Sequence, residues 1–249
     1  MEYQHLLHQR EGAVLRITLN RPEKRNALSE PMLSGLRTLL TEAAADTSLR
    51  VVIVNGAGTA WSAGVDLELF QHIKVEPGFQ AYDDGVEIIR LLETMPQVSI
   101  AMLNGPCFTG ALELMLAFDL VWAAADARIG DTHAKWGIPP KWGMTQRLQQ
   151  RVGLRKAKEM SFTAIPVSGE EAERLGLVNK AVPPENLEKA VEELAAQIAS
   201  NSAQGIAAMK HLYHYGSLKG LEAGIAYEQH YTPELTDKTD TLKHFRKNI

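Results

Sequence analysis

Cysteine is almost absent from this chain: among 249 residues there is one, Cys107. A single thiol excludes an intrachain disulfide framework and a thiolate metal cluster, and it suits a reducing compartment. The eight histidines form no H-E-x-x-H arrangement, so no metal is expected. Neither sign of charge is in excess, with 26 Lys+Arg against 30 Asp+Glu and a formal net charge of -4. That balance gives no footing for a nucleic-acid partner, although a local basic patch is enough for an anionic ligand. No uninterrupted apolar run approaches the ~20 residues that span a bilayer. The start, Met1-Glu2-Tyr3-Gln4-His5, is polar and lacks the pattern of a secretory leader. A cytoplasmic protein with no membrane partner is the expectation. Gly56-Ala57-Gly58 only begins a G-x-G-x-x-G, and no G-x-x-x-x-G-K-[ST] follows a strand-like run.

What is present is an ordinary core-forming composition, 45% hydrophobic, at a length that fits one large domain or one domain with an appendage. Val14–Leu19, Leu49–Asn55, Ser99–Leu103 and Leu120–Ala124 read as strands. Several are apolar on both faces and are separated by helical patterns, which indicates a largely parallel α/β core. Ser29 is expected to cap a helix carrying Leu33, Leu36, Leu39 and Leu40. Val86, Ile89, Leu92 and Met95 fall on one helical face, ended by Pro96. Residues 71–85 read as a surface loop, a weak helix start or a lid. Past residue 143 the pattern becomes mostly helical, with a capping box at Ser168–Glu171 and helices expected from Pro184 to about Ser200, to about Tyr215, and over Ser217–Tyr231. The expected division is a core over 1–190 and a helical region over 191–249.

Two stretches look like one device built twice. Trp61-Ser62-Ala63-Gly64-Val65-Asp66 follows Val51-Val52-Ile53-Val54, and Asn104-Gly105-Pro106-Cys107-Phe108-Thr109-Gly110 follows the run ending at Leu103. Each reads as strand, sharp turn and helix start, a combination that leaves backbone N–H groups unpaired. Two such amides, from Val65 and Gly110, aimed at one point would hold a carbonyl oxygen as it gains negative charge. Read as residues alone, both are also tight structural turns.

Glu113 lies three residues past Gly110, among Leu112, Leu114, Met115 and Leu116. A carboxylate in such surroundings is costly unless paired, and it is a candidate for proton exchange. Asp131-Thr132-His133 places an acid and an imidazole close together. His133 is a candidate to orient water or move a proton, and Asp131 to fix its tautomer. A satisfied structural histidine is the alternative. Cys107, in an apolar turn, reads as inert packing.

Together these residues resemble the crotonase, or enoyl-CoA hydratase/isomerase, superfamily. The resemblance rests on Leu19–Leu28, Trp61–Leu67, Asn104–Glu113, Gly137–Leu148 and Ala172–Val178. It implies the ClpP/crotonase-like α/β fold, a spiral of β-β-α units with a C-terminal helical trimerisation region, and a homotrimer or dimer of trimers. No prosthetic group is implied; coenzyme A enters as part of an acyl-CoA substrate. By resemblance Val65 and Gly110 supply the oxyanion hole. Lys24, Arg25, Ala27, Leu28, Ala63, Asp66 and Leu67 lie along the coenzyme A site, and Glu113 matches the first of the two glutamates of the hydratases. The second position falls on His133, and Lys141 replaces the usual glycine after Pro140, two departures from the pattern. The implied activity is addition of water to a 2-enoyl-CoA. Isomerisation by one carboxylate, other enolate chemistry such as C–C hydrolysis or decarboxylation, and non-catalytic acyl-CoA binding stand beside it.

Overall fold

Runs such as Val51–Val54 and Val98–Leu103 have no polar face to offer water, and both become central strands buried on each side. In the computed structural model, which describes residues 3–67, 69 and 78–237, they belong to a six-stranded sheet. Its order is β1 (Leu6–Glu11), β2 (Val14–Leu19), β3 (Val51–Gly56), β4 (Val98–Leu103), β6 (Leu120–Ala124) and β9 (Lys180–Val182). Only β1 and β2 pair antiparallel; every later pair is parallel. A second, three-stranded sheet joins β5 (Cys107–Phe108), β7 (Arg128–Gly130) and β8 (Val167–Ser168).

Helices cover both faces of the large sheet. α1 (Glu30–Ala45) buries Leu33, Leu36, Leu39 and Leu40 on one stripe and packs against α2 (Gln80–Thr94). Removing one such leucine side chain costs about 2–5 kcal/mol, because a close-packed core does not refill the space. α3 (Gly110–Met115) is buried at every position and follows β5 directly. Four short helices come next: α4 (His133–Trp136), α5 (Met144–Val152), α6 (Leu154–Thr163) and α7 (Gly169–Arg174). α8 (Pro184–Ala199) packs against β3, β4 and β6. The boundary expected near residue 190 falls inside it. α9 (Ala203–Lys219) and α10 (Leu221–His230) bury no residue in this chain.

Several local expectations need correction. Val86 is 43% exposed; the buried face of α2 is instead Ala81, Asp84, Gly85, Ile88, Ile89, Leu91 and Leu92. Gly85 belongs to that face because a Cβ there would lie 2.2 Å from the Trp142 ring, and a hydrophobicity pattern is blind to such a contact. Ser29 does not cap α1 with its side chain; its hydroxyl bonds to His5 Nδ1 at 3.1 Å. The last helices break at Gly220, where φ is 86°, and not after Tyr215. The Ser168 cap is as expected, with Glu171 N–H donating to Ser168 Oγ at 3.1 Å. The loop or lid expectation for 71–77 lies outside the described residues, and from Gln80 the chain is helical.

Candidate active site

β3 and β4 deliver their two turns to one place, and the turns are tied together there. Asn104 binds back across the gap, accepting from Gly56 N–H at 3.0 Å and donating to the carbonyls of Gly56 and Gly58 at 2.9 and 3.0 Å. Ser62 N–H donates to Pro106 O at 3.0 Å and Phe108 N–H to Ser62 O at 3.3 Å, a parallel bridge between the loops. Gly64, at φ 105°, sits so close that a Cβ would lie 2.4 Å from Thr109 Oγ1. Thr109 itself holds φ 50° and ψ -120°, a costly conformation for a β-branched residue, and it directly precedes Gly110.

The consequence is a pair of neighbouring amides. Leu28 N–H donates to Gly64 O at 2.8 Å and Leu28 O accepts from Asp66 N–H at 3.0 Å, so the bonds flanking Val65 leave its own N–H facing away from Leu28. Neither Val65 N–H nor Gly110 N–H meets an acceptor among the described residues. A Cβ on Gly110 would stand 3.5 Å from Val65 N and 2.6 Å from Val65 Cγ2, so only glycine fits.

Glu113, one turn farther along α3, is 3% exposed. Its Oε1 accepts from the backbone N–H of Trp142 at 2.7 Å and of Met144 at 3.3 Å. Its Oε2 stands 3.5 Å from His133 Nε2. On the other side of the ring, His133 Nδ1 meets Asp131 Oδ1 at 2.6 Å, and the same oxygen accepts from His133 N–H at 3.0 Å. The side chains two residues apart therefore do meet, because α4 starts at His133 and turns its amide onto Asp131. Burial alone would disfavour the imidazolium, but the bonds and charges of Asp131 and Glu113 outweigh it and lift the His133 pKa to about 9. Burial pushes Asp131 upward, and bonds from His133 and Ser161 more than reverse this, leaving its carboxyl below the ordinary value.

Val65, Gly110, Glu113 and His133 all line one cavity of about 110 Å³, whose remaining walls include Leu33, Tyr82, Ile138, Lys141 and Trp142. Of the two tryptophans near this segment, Trp142 lines the cavity, whereas Trp136 is 55% exposed and does not. A larger cavity of about 610 Å³ lies between α9 and the starts of β4 and β6, without any of these groups.

The residues assigned to the coenzyme A side also converge. Ala63 N–H donates to Arg25 O at 3.0 Å, which lays residues 24–28 beside 62–66. Lys24, Arg25 and Leu67 are exposed, Ala27 and Ala63 half-buried, and Leu28 fully buried. Asp66 is buried and ion-paired with Arg21. Sequence reasoning gave no role to Asn26, which is fully buried at φ 54° and accepts from Arg21 N–H at 2.9 Å. Its amide donates to Ala57 O and Ala60 O at 2.9 and 2.8 Å, tying the two loops. An asparagine closing a charged Pro-containing turn was the available signal. The Trp142 amide bond to Glu113 had none, since a backbone donor leaves no mark in sequence. Cys107 is fully buried, and burial raises its thiol pKa well above the usual value, in keeping with inert packing. Among the described residues no group of three or more His, Cys, Asp or Glu is placed to hold a metal ion, and no helix is long and apolar enough to cross a membrane.

Comparison with known proteins gives the family of the chain. The short-chain-enoyl-CoA hydratase of Clostridium acetobutylicum is 32% identical over 229 residues, 92% of this chain and 88% of that protein. The crystal structure of an enoyl-CoA hydratase from Bacillus anthracis superposes with a TM-score of 0.88 at 32% identity, covering 98% of this chain and 97% of that one. A Thermobifida fusca protein solved in complex with acetoacetyl-CoA gives 0.81 at 28% identity, over 90% and 92%. The sequence pattern of the enoyl-CoA hydratase/isomerase family matches residues 9–247, and with a crotonase fold and relatives this extensive, the chain belongs to that family.

Proposed function

We propose that this protein adds water to a 2-enoyl-CoA thioester. The observation that carries the reading is that two amides without an acceptor among the described residues, those of Val65 and Gly110, share a cavity with a buried carboxylate, Glu113. The thioester oxygen would accept from both N–H groups and be stabilised as the enolate forms. Glu113 would take a proton from water while the oxygen bonds to the β-carbon. The same proton count is restored when the α-carbon is protonated, so the Glu113–His133 pair holds one proton in transit and ends unchanged. His133, cationic at neutral pH, would occupy the place of the second glutamate as partner acid and would orient the water.

Coenzyme A would lie along Lys24, Arg25, Ala27, Leu28, Ala63, Asp66 and Leu67. The exposed basic groups of Lys24 and Arg25 would meet phosphate, and the buried Asp66 would support the turn through Arg21. The thioester relatives, one of them holding acetoacetyl-CoA, support this ligand class. α9 and α10 bury nothing and expose Met209, Tyr213, Leu218, Leu221 and Ile225, which supports residues 191–249 as the helical region of a homotrimer or dimer of trimers. A cytoplasmic location, with the lone thiol kept reduced, belongs to the same reading.

A second reading, isomerisation, is favoured by one observation: Glu113 is the one carboxylate among the described residues lining the cavity. The deciding experiment is a mass-spectrometric turnover screen of acyl-CoAs in oxygen-18 water. Hydration places the heavy isotope in a product heavier by one water, whereas isomerisation changes neither mass nor isotope. A tight coenzyme A complex without turnover across the panel would instead leave a binding subunit, and cleavage or loss of carbon dioxide would point to other enolate chemistry.

A further inference from the structure

Lys141 is an exposed residue that lines the same cavity as Glu113 and His133, and its ammonium meets no partner among the described residues. The residue that follows it, Trp142, gives the backbone N–H that fixes Glu113 Oε1 at 2.7 Å. Lys141 therefore hangs from the strip of chain that holds the base. On the hydratase reading coenzyme A lies along the segment of Lys24 and Arg25, which is bridged to Val65 through Leu28, and this leaves the Lys141 wall for the acyl chain. The other charges in the cavity are already matched, Glu113 by His133 and the Trp142 amide, and His133 by Asp131. Leu33, Ala81, Ile138 and Pro139 add apolar surface to the wall, beside the rings of Tyr82 and Trp142. One unmatched cation at the rim of such a wall is poor company for a hydrocarbon tail. It is the complement of an acyl chain that ends in an anion, and a charge-assisted bond of this kind is stronger than a neutral one.

Resting on the hydratase reading above, we infer that Lys141 selects acyl groups carrying a terminal carboxylate. The substrate class is then the monothioester of an unsaturated dicarboxylic acid with coenzyme A. The lysine acts on the far end of the chain, not on the reacting carbons, so it is a specificity residue, and its effect falls mainly on KM.

The test compares hex-2-enedioyl-CoA with hex-2-enoyl-CoA on the wild-type, Lys141→Gln and Lys141→Arg proteins. Wild type should favour the diacid thioester by roughly tenfold or more in kcat/KM. Lys141→Gln should bring that ratio close to one, through KM, and Lys141→Arg should keep most of it. Equilibrium binding of adipoyl-CoA, hexanoyl-CoA and free coenzyme A gives a readout independent of turnover, and the same preference for the diacid should appear. Equal wild-type kcat/KM for the two thioesters, or equal affinity for the two saturated ones, overturns the inference while leaving hydration intact. So does a Lys141→Gln protein that loses affinity for free coenzyme A as much as for adipoyl-CoA, since the ammonium would then serve phosphate. Absence of turnover with both enoyl thioesters would sink the hydratase reading, and the binding preference would still decide the role of Lys141.

Discussion

His133 Nε2 faces Glu113 Oε2 at 3.5 Å, and the opposite nitrogen of the ring is bonded to Asp131 at 2.6 Å. An imidazole held between two carboxylates in a buried site is stabilised as the cation, which is why its pKa rises to about 9 in spite of burial. The cation in turn compensates Glu113, whose charge would otherwise be expensive to bury among Leu112, Leu114 and Met115.

Replacing Glu113 with Gln should lower kcat by about 10²–10⁴-fold, the usual weight of a positioned acid or base. Affinity for a saturated acyl-CoA should change only a few-fold, since the amide keeps an oxygen for the Trp142 and Met144 N–H groups. Steady-state kinetics with calorimetric binding checks both halves; an unchanged kcat would remove Glu113 from the mechanism.

Stability should depend on pH through His133 with a defined sign. Its folded pKa is raised above the ordinary 6.5, so its contribution is complete below 6.5 and is lost as pH climbs through about 9. The loss is on the order of 3 kcal/mol at most, which urea unfolding across that window measures directly. His133→Gln should flatten the curve there. Asp131 acts in the opposite direction: its depressed pKa contributes stability above the ordinary 3.8 that disappears as pH falls below it. A wild-type curve already level from neutrality to pH 9 would contradict the cationic assignment.

Gly110→Ala should be severe for catalysis. The new methyl would stand 2.6 Å from Val65 Cγ2, so one donor-bearing turn must move. Loss of one oxyanion donor costs about 10²–10³ in kcat. Crystallography of the variant should show the Val65 or Gly110 amide displaced; full activity would mean that these amides do not hold the thioester oxygen.

Asn26→Ala should test the scaffold separately from the chemistry. It removes the acceptor for Arg21 N–H and the donors for Ala57 O and Ala60 O inside the protein, and it places alanine at a left-handed φ of 54°. A loss of about 2–4 kcal/mol follows from stranded polar groups and backbone strain. Chemical denaturation reads it, and a change below about 0.5 kcal/mol would show that the two loops are held by other means.

The parallel core was legible because β3 and β4 are apolar on both faces, and the two turns because glycines follow those strands. The pairing of Glu113 with His133 was not legible, since it depends on α4 being brought across to α3 by residues 116–132. β1 escaped notice because, apart from Leu6, it is exposed and shows no alternation. Val86 was misplaced because periodicity weighs apolar side chains and takes no account of a glycine that packs against a ring. Backbone donors such as Trp142 N–H are invisible to any reading of side-chain types, yet they hold the carboxylate.

The seat of the Trp142 indole on the bare backbone of Gly85 has a wider effect. Through Trp142, α2 becomes the floor against which the Glu113 carboxylate is levelled. A methyl group added at Gly85, 28 positions before Glu113 in the chain, would tilt the indole and with it the amide that grips the carboxylate. A harmless-looking change on that helix would therefore register as a chemical defect as well as a loss of stability.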